Sequence, residues 1–421
     1  MKKYLLLIWI LTTLCSNSTF ANPNDAKLFR TISLELKDPR LSFDANTSSW
    51  QSINALIAFG GERLDSYAGK SKMARAGLFA GALYFSAMLR YYSHEVAHEV
   101  AYRASGLPVS NSLDWQHWKS TYIPGLYYPA WRQTSLDPMR LDGTQLLSSI
   151  TAGLNQDELN SAAVWRSALL RGEYSVFDAQ AFLLTSLRDI DYIARARSEE
   201  SPFAMGMEVH QLQRDVFSNF PQLYDDVNLY RLMLLNNGID VSNTHLLYQS
   251  LFVSALSWHT WESIYTIFDY FVQGRSATPF HFHLSQKATV SLPLFSNYWG
   301  AQGSFINSSS ILSLGKQRFQ LQAGAMLGFS KSNTFSRWRI GIKAYDIALN
   351  QHLAIQPFLF FNLQRMRHLG VSNAGIDGLV LLKNDFGIWF RMKWNADDIL
   401  ENEIKMNASG IHMSIGLRAR I

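Results

Sequence analysis

The chain has 421 residues, a formal net charge of +5, 13% aromatic and 17% charged side chains, and one cysteine. That length suffices for two domains of ordinary size, and the aromatic-rich, charge-poor balance leans towards an envelope or membrane-associated protein. The basic residues are scattered rather than clustered, which argues against nucleic acid as a partner.

Lys2 and Lys3, the apolar stretch Tyr4 to Leu14 and the small-residue site Thr19-Phe20-Ala21 read as a secretory signal over residues 1–21. Cleavage after Ala21 removes Cys15, so neither a disulfide nor a thiolate zinc ligand is expected in the mature chain. Leu14 stands before Cys15, where a lipoprotein signal carries a small residue, and so argues against lipidation. The protein is expected to be exported, to the outer membrane first and to the periplasm as the alternative.

Residues 22 to 70 are polar and only weakly helical in pattern. Ala74 to Leu89 is apolar nearly all round. It is shorter than the roughly 20 residues needed to span a bilayer, so a buried core helix is expected in preference to a membrane segment. The stretch Ser93-His94-Glu95-Val96-Ala97-His98 follows. On a helix its HExxH pattern places His94 and His98 one turn apart on one face. Two imidazoles at that spacing can hold a Zn2+ ion, leaving room for a third protein ligand and a water. Glu95, a quarter-turn round, is placed to take that water's proton. Gly106 and Pro108 stop the helix.

Between Leu107 and Leu141, Pro108, Pro124, Pro129 and Pro138 break the pattern among many Trp and Tyr residues, as in a long loop that shapes a cleft. Helical periodicity returns over Gly143 to Leu170, Val176 to Ala196, Glu208 to Asn236 and Thr244 to Val272. Two residues are candidates for the third ligand. Glu158, beside Asp157, lies on the helix after the loop region and is ranked slightly first. Asp142, in Leu136-Asp137-Pro138-Met139-Arg140-Leu141-Asp142-Gly143, is the alternative. His245 and His259 share a helix face; they fit either an oxyanion-stabilising role or ordinary core positions. His281 and His283 project to one side of a strand with nothing to pair them to the motif.

After Gly274 the period becomes two. Phe319, Leu321, Ala323, Ala325 and Leu327 alternate with Gln320, Gln322 and Gly324; Ile411, Met413, Ile415 and Leu417 alternate with Ser414, Arg418 and Arg420. Turn residues divide the region into about eight strands of about 10 to 13 residues, the length of tilted transmembrane strands. The final strand resembles the closing strand of bacterial outer-membrane barrels, with Ile421 where that family usually has Phe. In the rival soluble sandwich, the apolar face would be buried on a second sheet.

The stretch HEVAHEVAYRASGLPV also resembles the metal-binding helix of the site-2 type metalloproteases, and LDPMRLDG is similar to that family's Pro-containing Leu-Asp-Gly motif. The resemblance implies His94 and His98 as zinc ligands, Glu95 as base and Asp142 as third ligand. It covers only these two stretches; the signal, the short spacing between motifs and the β-rich C-terminal third depart from the family. The expected architecture is α+β: a helical zincin-like domain over 22–274, then an antiparallel β-barrel over 275–421. The expected function is zinc-dependent peptidolysis in the bacterial cell envelope, on a protein or peptide substrate. The rivals are a metal-dependent hydrolase of lipid or another envelope component, and a non-enzymatic barrel with a helical adaptor.

Overall fold

The computed structural model describes residues 30–35, 42–68, 71–106, 109–119, 127–135, 143–198, 226–236, 238–274, 276–300, 303–315, 317–329, 337–345, 347–350, 352–364, 368–383, 386–395 and 410–420. Residues 1–21, read as a signal, lie outside them.

The chain is α+β. A short strand β1 (Thr31–Glu35) precedes α1 (Phe43–Ala68) and the long α2 (Lys72–Ala104), which carries the HExxH motif. A hairpin, β2 (Val109–Lys119) and β3 (Tyr127–Ser135), occupies the region expected to be a loop. Pro129 sits opposite a register shift between Asp114 and Trp118, where no ladder bond is required of it. The next helices are α3 (Gly143–Ile150), α4 (Ala152–Arg171), α5 (Val176–Ser186) and α6 (Arg188–Ser198). They are followed by α7 (Asp226–Asn236), α8 (Asn243–Leu256) and α9 (Trp258–Gln273). Three of the four expected helical stretches are thus each broken once, and the fourth, Glu208 to Asn236, falls within the described residues only from Asp226. The break between α8 and α9 is at Ser257, whose backbone is extended.

Eleven strands follow: β4 (His281–Ser285), β5 (Ala288–Ser291), β6 (Leu294–Gly300), β7 (Gly303–Leu314), β8 (Gln317–Gly328), β9 (Arg337–Tyr345), β10 (Ile347–Ala348), β11 (Leu353–Gln364), β12 (His368–Lys383), β13 (Phe386–Asn395) and β14 (Gly410–Arg420). With β1 they form one 12-stranded antiparallel sheet, in the order β1-β14-β13-β12-β11-β9-β8-β7-β5-β4, with β10 on β11 and β6 on β7. The expected barrel of about eight strands is corrected in two respects. The strands are more numerous, because short turns divide the runs further. Among the described residues the outer strands β1 and β4 do not pair, so the sheet is open. β1 comes from the N-terminal part and pairs with the last strand, Thr31 opposite Arg420 and Leu34 opposite Leu417. The helical and β parts therefore share one sheet.

The two faces of the sheet reverse the usual soluble pattern. Phe390, Met392 and Trp394 on β13 lie opposite Ile415, Met413 and Ile411 on β14, and all six are exposed, Met413 at 72%. Ile340, Ile342, Ile376 and Leu382 point the same way. The face towards the helices carries Gln320, Arg339, Asn373, Asp377 and Lys393, all buried. A sandwich would bury the apolar face against a second sheet; here that face is bare.

The first half of α2 corrects another expectation. Only Ala82, Ser86 and Arg90 form a buried stripe there, while Met73 and Phe85 are 86% and 59% exposed. The second half, from Ser93 to Tyr102, is enclosed. No helix among the described residues is long and apolar enough to cross a membrane.

The core around the motif joins many elements. Leu147, Leu154, Ile193, Tyr230, Leu246 and Trp299 pack in one cluster drawn from α3, α4, α6, α7, α8 and β6. Asn155 docks α4 on the sheet by imitating a peptide: its Nδ2 donates to the Trp299 carbonyl at 2.9 Å and its Oδ1 accepts from the Trp299 N–H at 2.7 Å.

Next to β1, buried Arg30 donates to Asp178 of α5 at 2.7 Å and also pairs with Glu62 of α1. Burial would raise the Asp178 carboxyl, but Arg171 and Arg30 outweigh it and hold the pKa well below the carboxylate range. This contribution is present above the ordinary carboxylate pKa and is lost only as pH falls through the depressed one. Asp178→Asn leaves a buried cation half-matched, at a cost of about 3–5 kcal/mol. Urea unfolding near neutral pH should register that loss, and the difference from wild type should shrink in strong acid.

Candidate metal centre

Arg90, His94, His98 and Tyr102 follow at four-residue steps along α2 and so form a single stripe. A buried polar network holds this stripe in place. The Asn46 amide of α1 donates to the Ser93 carbonyl at 2.7 Å, Ser93 Oγ donates to Asn46 Oδ1 at 3.0 Å, and Asn160 Nδ2 of α4 donates to Ser93 Oγ at 3.0 Å. The helices α1, α2 and α4 are thereby locked in rotation about their axes.

Three side chains converge. His94, His98 and Asp226, the first residue of α7, each offer one ligand atom, all within 4.8 Å of one another. Asp226 Oδ2 lies 3.0 Å from His94 Nε2 and 3.6 Å from His98 Nε2. The other nitrogens are tied. His94 Nδ1 lies 2.9 Å from Asp157 Oδ2 and His98 Nδ1 lies 2.8 Å from the Ser149 carbonyl. Because carboxylate and carbonyl only accept, each Nδ1 is the donor, and each Nε2 is turned into the cluster. Metal-ligating histidines are oriented in this way. Arg90 holds Asp157 from the other side at 3.2 Å.

The surroundings fit this purpose closely. A Cβ at Gly153 of α4 would lie 2.3 Å from His94 Nε2, so only glycine lets α4 approach the ring. Tyr192 of α6 stacks on the His94 ring at 5.4 Å, with its hydroxyl 3.3 Å from Nε2. Tyr230, one turn after Asp226, donates to the Gly300 carbonyl at 2.7 Å and so anchors α7 to the sheet edge.

The charges point the same way. Burial disfavours a charged His94, yet Tyr192, Asp157 and Asp226 outweigh it and raise its pKa well above the ordinary value. His98 is raised likewise, against burial, chiefly by Asp226. Burial would raise Asp226, but the two imidazoles hold it below the usual range. His94 Nε2 faces Asp226, and a metal ion bound there would displace any proton that nitrogen holds. Two imidazole nitrogens and one carboxylate oxygen form a donor set that could hold a metal ion.

Of the residues expected from sequence, His94 and His98 come together, and Glu95 is half-buried beside them. Its pKa is raised by burial and partly restored by His94 and His98. Glu158 is not brought to the cluster. It is buried on α4, hydrogen-bonded to Ser296 and the Asn297 backbone, and its pKa is raised by burial and by Asp189. Asp189 is itself pushed up to about 7 by burial, and it accepts from Trp299 Nε1 at 2.5 Å. Asp142 lies outside the described residues. His259 has both ring nitrogens engaged, with Glu262 at 2.6 Å and the Leu292 carbonyl at 3.1 Å, as a core histidine does. His245 stacks edge-on against Phe329 and His281 contacts the Pro279 carbonyl, so neither joins the motif.

Asp226 escaped the sequence reading, as did the roles of Asp157, Tyr192 and Gly153. Asp226 stands 132 residues from His94, with no spacing rule to connect them. The one available signal was an acidic residue opening a helix.

No protein-family model matches the chain, and no curated protein matches it either. The likeness to site-2 type metalloproteases therefore remains local to the motif.

His94→Ala, His98→Ala and Asp226→Ala should each lower zinc content measured by atomic absorption. Asp157→Asn should weaken zinc about 10–100-fold through the orientation of His94. Gly153→Ala should do the same by displacing the ring. Zinc retained in Asp226→Ala at the wild-type level would remove Asp226 from the ligand set.

Proposed function

We propose that the protein is a zinc-dependent metallopeptidase of the bacterial cell envelope. The observation that carries this reading is the convergence of His94 Nε2, His98 Nε2 and Asp226 Oδ2, with each Nδ1 tied from behind.

His94, His98 and Asp226 would hold the ion. Zinc supplies Lewis acidity when bound, lowering the pKa of a water and polarising a carbonyl. Glu95, electrostatically close to both imidazoles, takes the proton from the attacking water and returns it to the leaving nitrogen. Asp157, backed by Arg90, keeps His94 in the tautomer that presents Nε2. Tyr102, buried and within the field of Asp226 and Glu95, stays a neutral phenol able to donate to a developing oxyanion.

Glu95→Gln keeps size and hydrogen bonding but removes the base. Hydrolysis of a fluorogenic peptide library should fall about 10²–10⁴-fold while zinc content stays near that of wild type. Unchanged turnover would remove Glu95 from the mechanism.

The bare apolar face of the sheet supports an outer-membrane location. Strands such as β13 and β14, of 10 and 11 residues, match the length that tilted membrane strands require. The exposed aromatic side chains Trp258, Trp261, Tyr265 and Phe268 of α9 favour a second reading of the substrate, as an acyl-bearing envelope component cleaved by the same site. A screen of peptides against lipid esters separates the two. On fractionation the protein should stay with outer membranes through a high-salt, alkaline wash and come off only in detergent. Recovery in the soluble periplasmic fraction would rule out the membrane location.

A further inference from the structure

The helix pair α8 and α9 is built inside out. From Tyr248 to Val272 every exposed side chain is apolar or aromatic, among them Leu251, Phe252, Trp261, Ile264 and Phe268. Every buried residue of the same stretch except Val253 and Tyr270 is polar. A helix on the surface of a water-soluble domain has the opposite pattern, with its apolar stripe on the core.

Many of the inward polar groups bond within the protein. His259 Nδ1 lies 2.6 Å from Glu262 Oε2, and Glu262 Oε1 accepts from the Phe280 N–H at 2.7 Å. Ser263 and Thr266 donate to carbonyls one turn back, at 2.6 and 2.7 Å, and Tyr270 donates to Asp65 of α1 at 2.8 Å. On α8, Gln249 Nε2 donates to Asn297 Oδ1 of β6 at 3.2 Å. On the outward side, the indole N–H of Trp261 donates to the Ala255 carbonyl at 3.0 Å, so the one donor of that ring is met without solvent.

Charge is missing from the outward side. No Lys or Arg occurs from residue 232 to residue 274, and the two carboxylates of α9, Glu262 and Asp269, are buried. Helices that lie on a headgroup layer carry Lys and Arg on their polar face. A protein docking surface is, taken whole, about as apolar as the rest of a protein surface and has a polar rim. Neither describes this face. Hydrocarbon does, since it accepts an uncharged apolar surface and penalises unmet polar groups. The apolar surface also continues past α9. The Trp258 ring lies 6.0 Å from that of Phe280, which lies 5.2 Å from that of Phe282 on β4, and Phe280, Phe282 and Leu284 are exposed. β4 is an outer strand of the sheet whose apolar face is bare. Helices and sheet thus share the same inverted polarity and meet at that strand.

We infer that α8 and α9 face the acyl chains of the membrane beside the sheet. The inference rests on the outer-membrane reading and extends it: the helical part itself meets lipid, instead of being carried outside the bilayer by the β part.

The test is fluorescence quenching in the full chain carrying Cys15→Ser. Tyr265→Cys and Phe268→Cys are made singly, labelled with bimane and reconstituted into dioleoylphosphatidylcholine vesicles, with and without brominated acyl chains. Iodide serves as the aqueous quencher. Met413→Cys, on the bare face of the sheet, reports on the outer-membrane reading, and Gln286→Cys, in the exposed β4–β5 turn, reports on water. Brominated chains should quench the two α9 labels as fully as they quench Met413→Cys, and iodide should reach them less than it reaches Gln286→Cys. Each variant must keep the far-ultraviolet circular dichroism of wild type; a position that does not is replaced by Ile264→Cys on the same face. Strong iodide quenching of the α9 labels, with Met413→Cys quenched by bromine, overturns the inference and leaves the outer-membrane reading standing. Labels shielded from both quenchers mean that protein covers the face, which overturns it as well. If Met413→Cys itself escapes bromine, the outer-membrane reading fails and the inference fails with it.

Discussion

A single buried carboxylate, Asp157, joins the parts of the site. It sits on α4 between Arg90 and His94 of α2, 3.2 Å from one and 2.9 Å from the other. An unpaired charge in that position would be costly, and a salt bridge alone would be weak evidence for stability. Here the pairing also has a directional result. By fixing the Nδ1 proton of His94 it turns Nε2 towards Asp226, and the Ser149 carbonyl does the same for His98. The cluster is therefore made by the packing of α4 and α3 against α2 as much as by the motif on α2 itself. Gly153, against the His94 ring, shows how closely those helices approach.

The sheet supports this packing from an unusual orientation. Much of its polar face is turned inward and its apolar face outward, while Leu294, Trp299, Ile311 and Tyr345 still pack into apolar clusters with the helices. Specific polar contacts add to that packing: Asn155 against Trp299, Tyr230 against the Gly300 carbonyl, and Asp44 against Lys393. Such contacts are directional and fix register in a way that apolar burial alone does not. The same inward polarity lines a cavity beside α4 with polar and charged side chains, and leaves apolar side chains such as Ile411 and Met413 on the exterior.

Much of the local structure could be read directly from the chain. The helical spacing of His94 and His98, the stop at Gly106, and the period-two alternation from Phe319 to Leu327 are properties of neighbouring residues, so no long-range information was needed. The alternation separated Ile411, Met413 and Ile415 from Arg418, but a barrel and a sandwich turn that apolar face in opposite directions, and only the packed sheet shows it outward. Short elements were not. β1 has five residues, too few for a period to register, and it exists because β14 offers it an edge.

The third member of the His94–His98 cluster marks the limit. Glu158 and Asp142 were reasonable because they follow the motif closely in sequence. Glu158 instead faces Ser296 and Asp189, because the rotation of α4 that points Asp157 at His94 turns its neighbour away by about 100°. Asp226 arrives from a helix 132 residues on. Its place is decided by the apolar cluster around Leu147, Ile193 and Trp299, into which α7 packs, and by Tyr230 tied to the sheet. The sequence by itself determined that two histidines and a glutamate would share a helix turn, since that follows from helical geometry. Which carboxylate completes the set depends on how the surrounding helices and strands pack, and no local pattern encodes that.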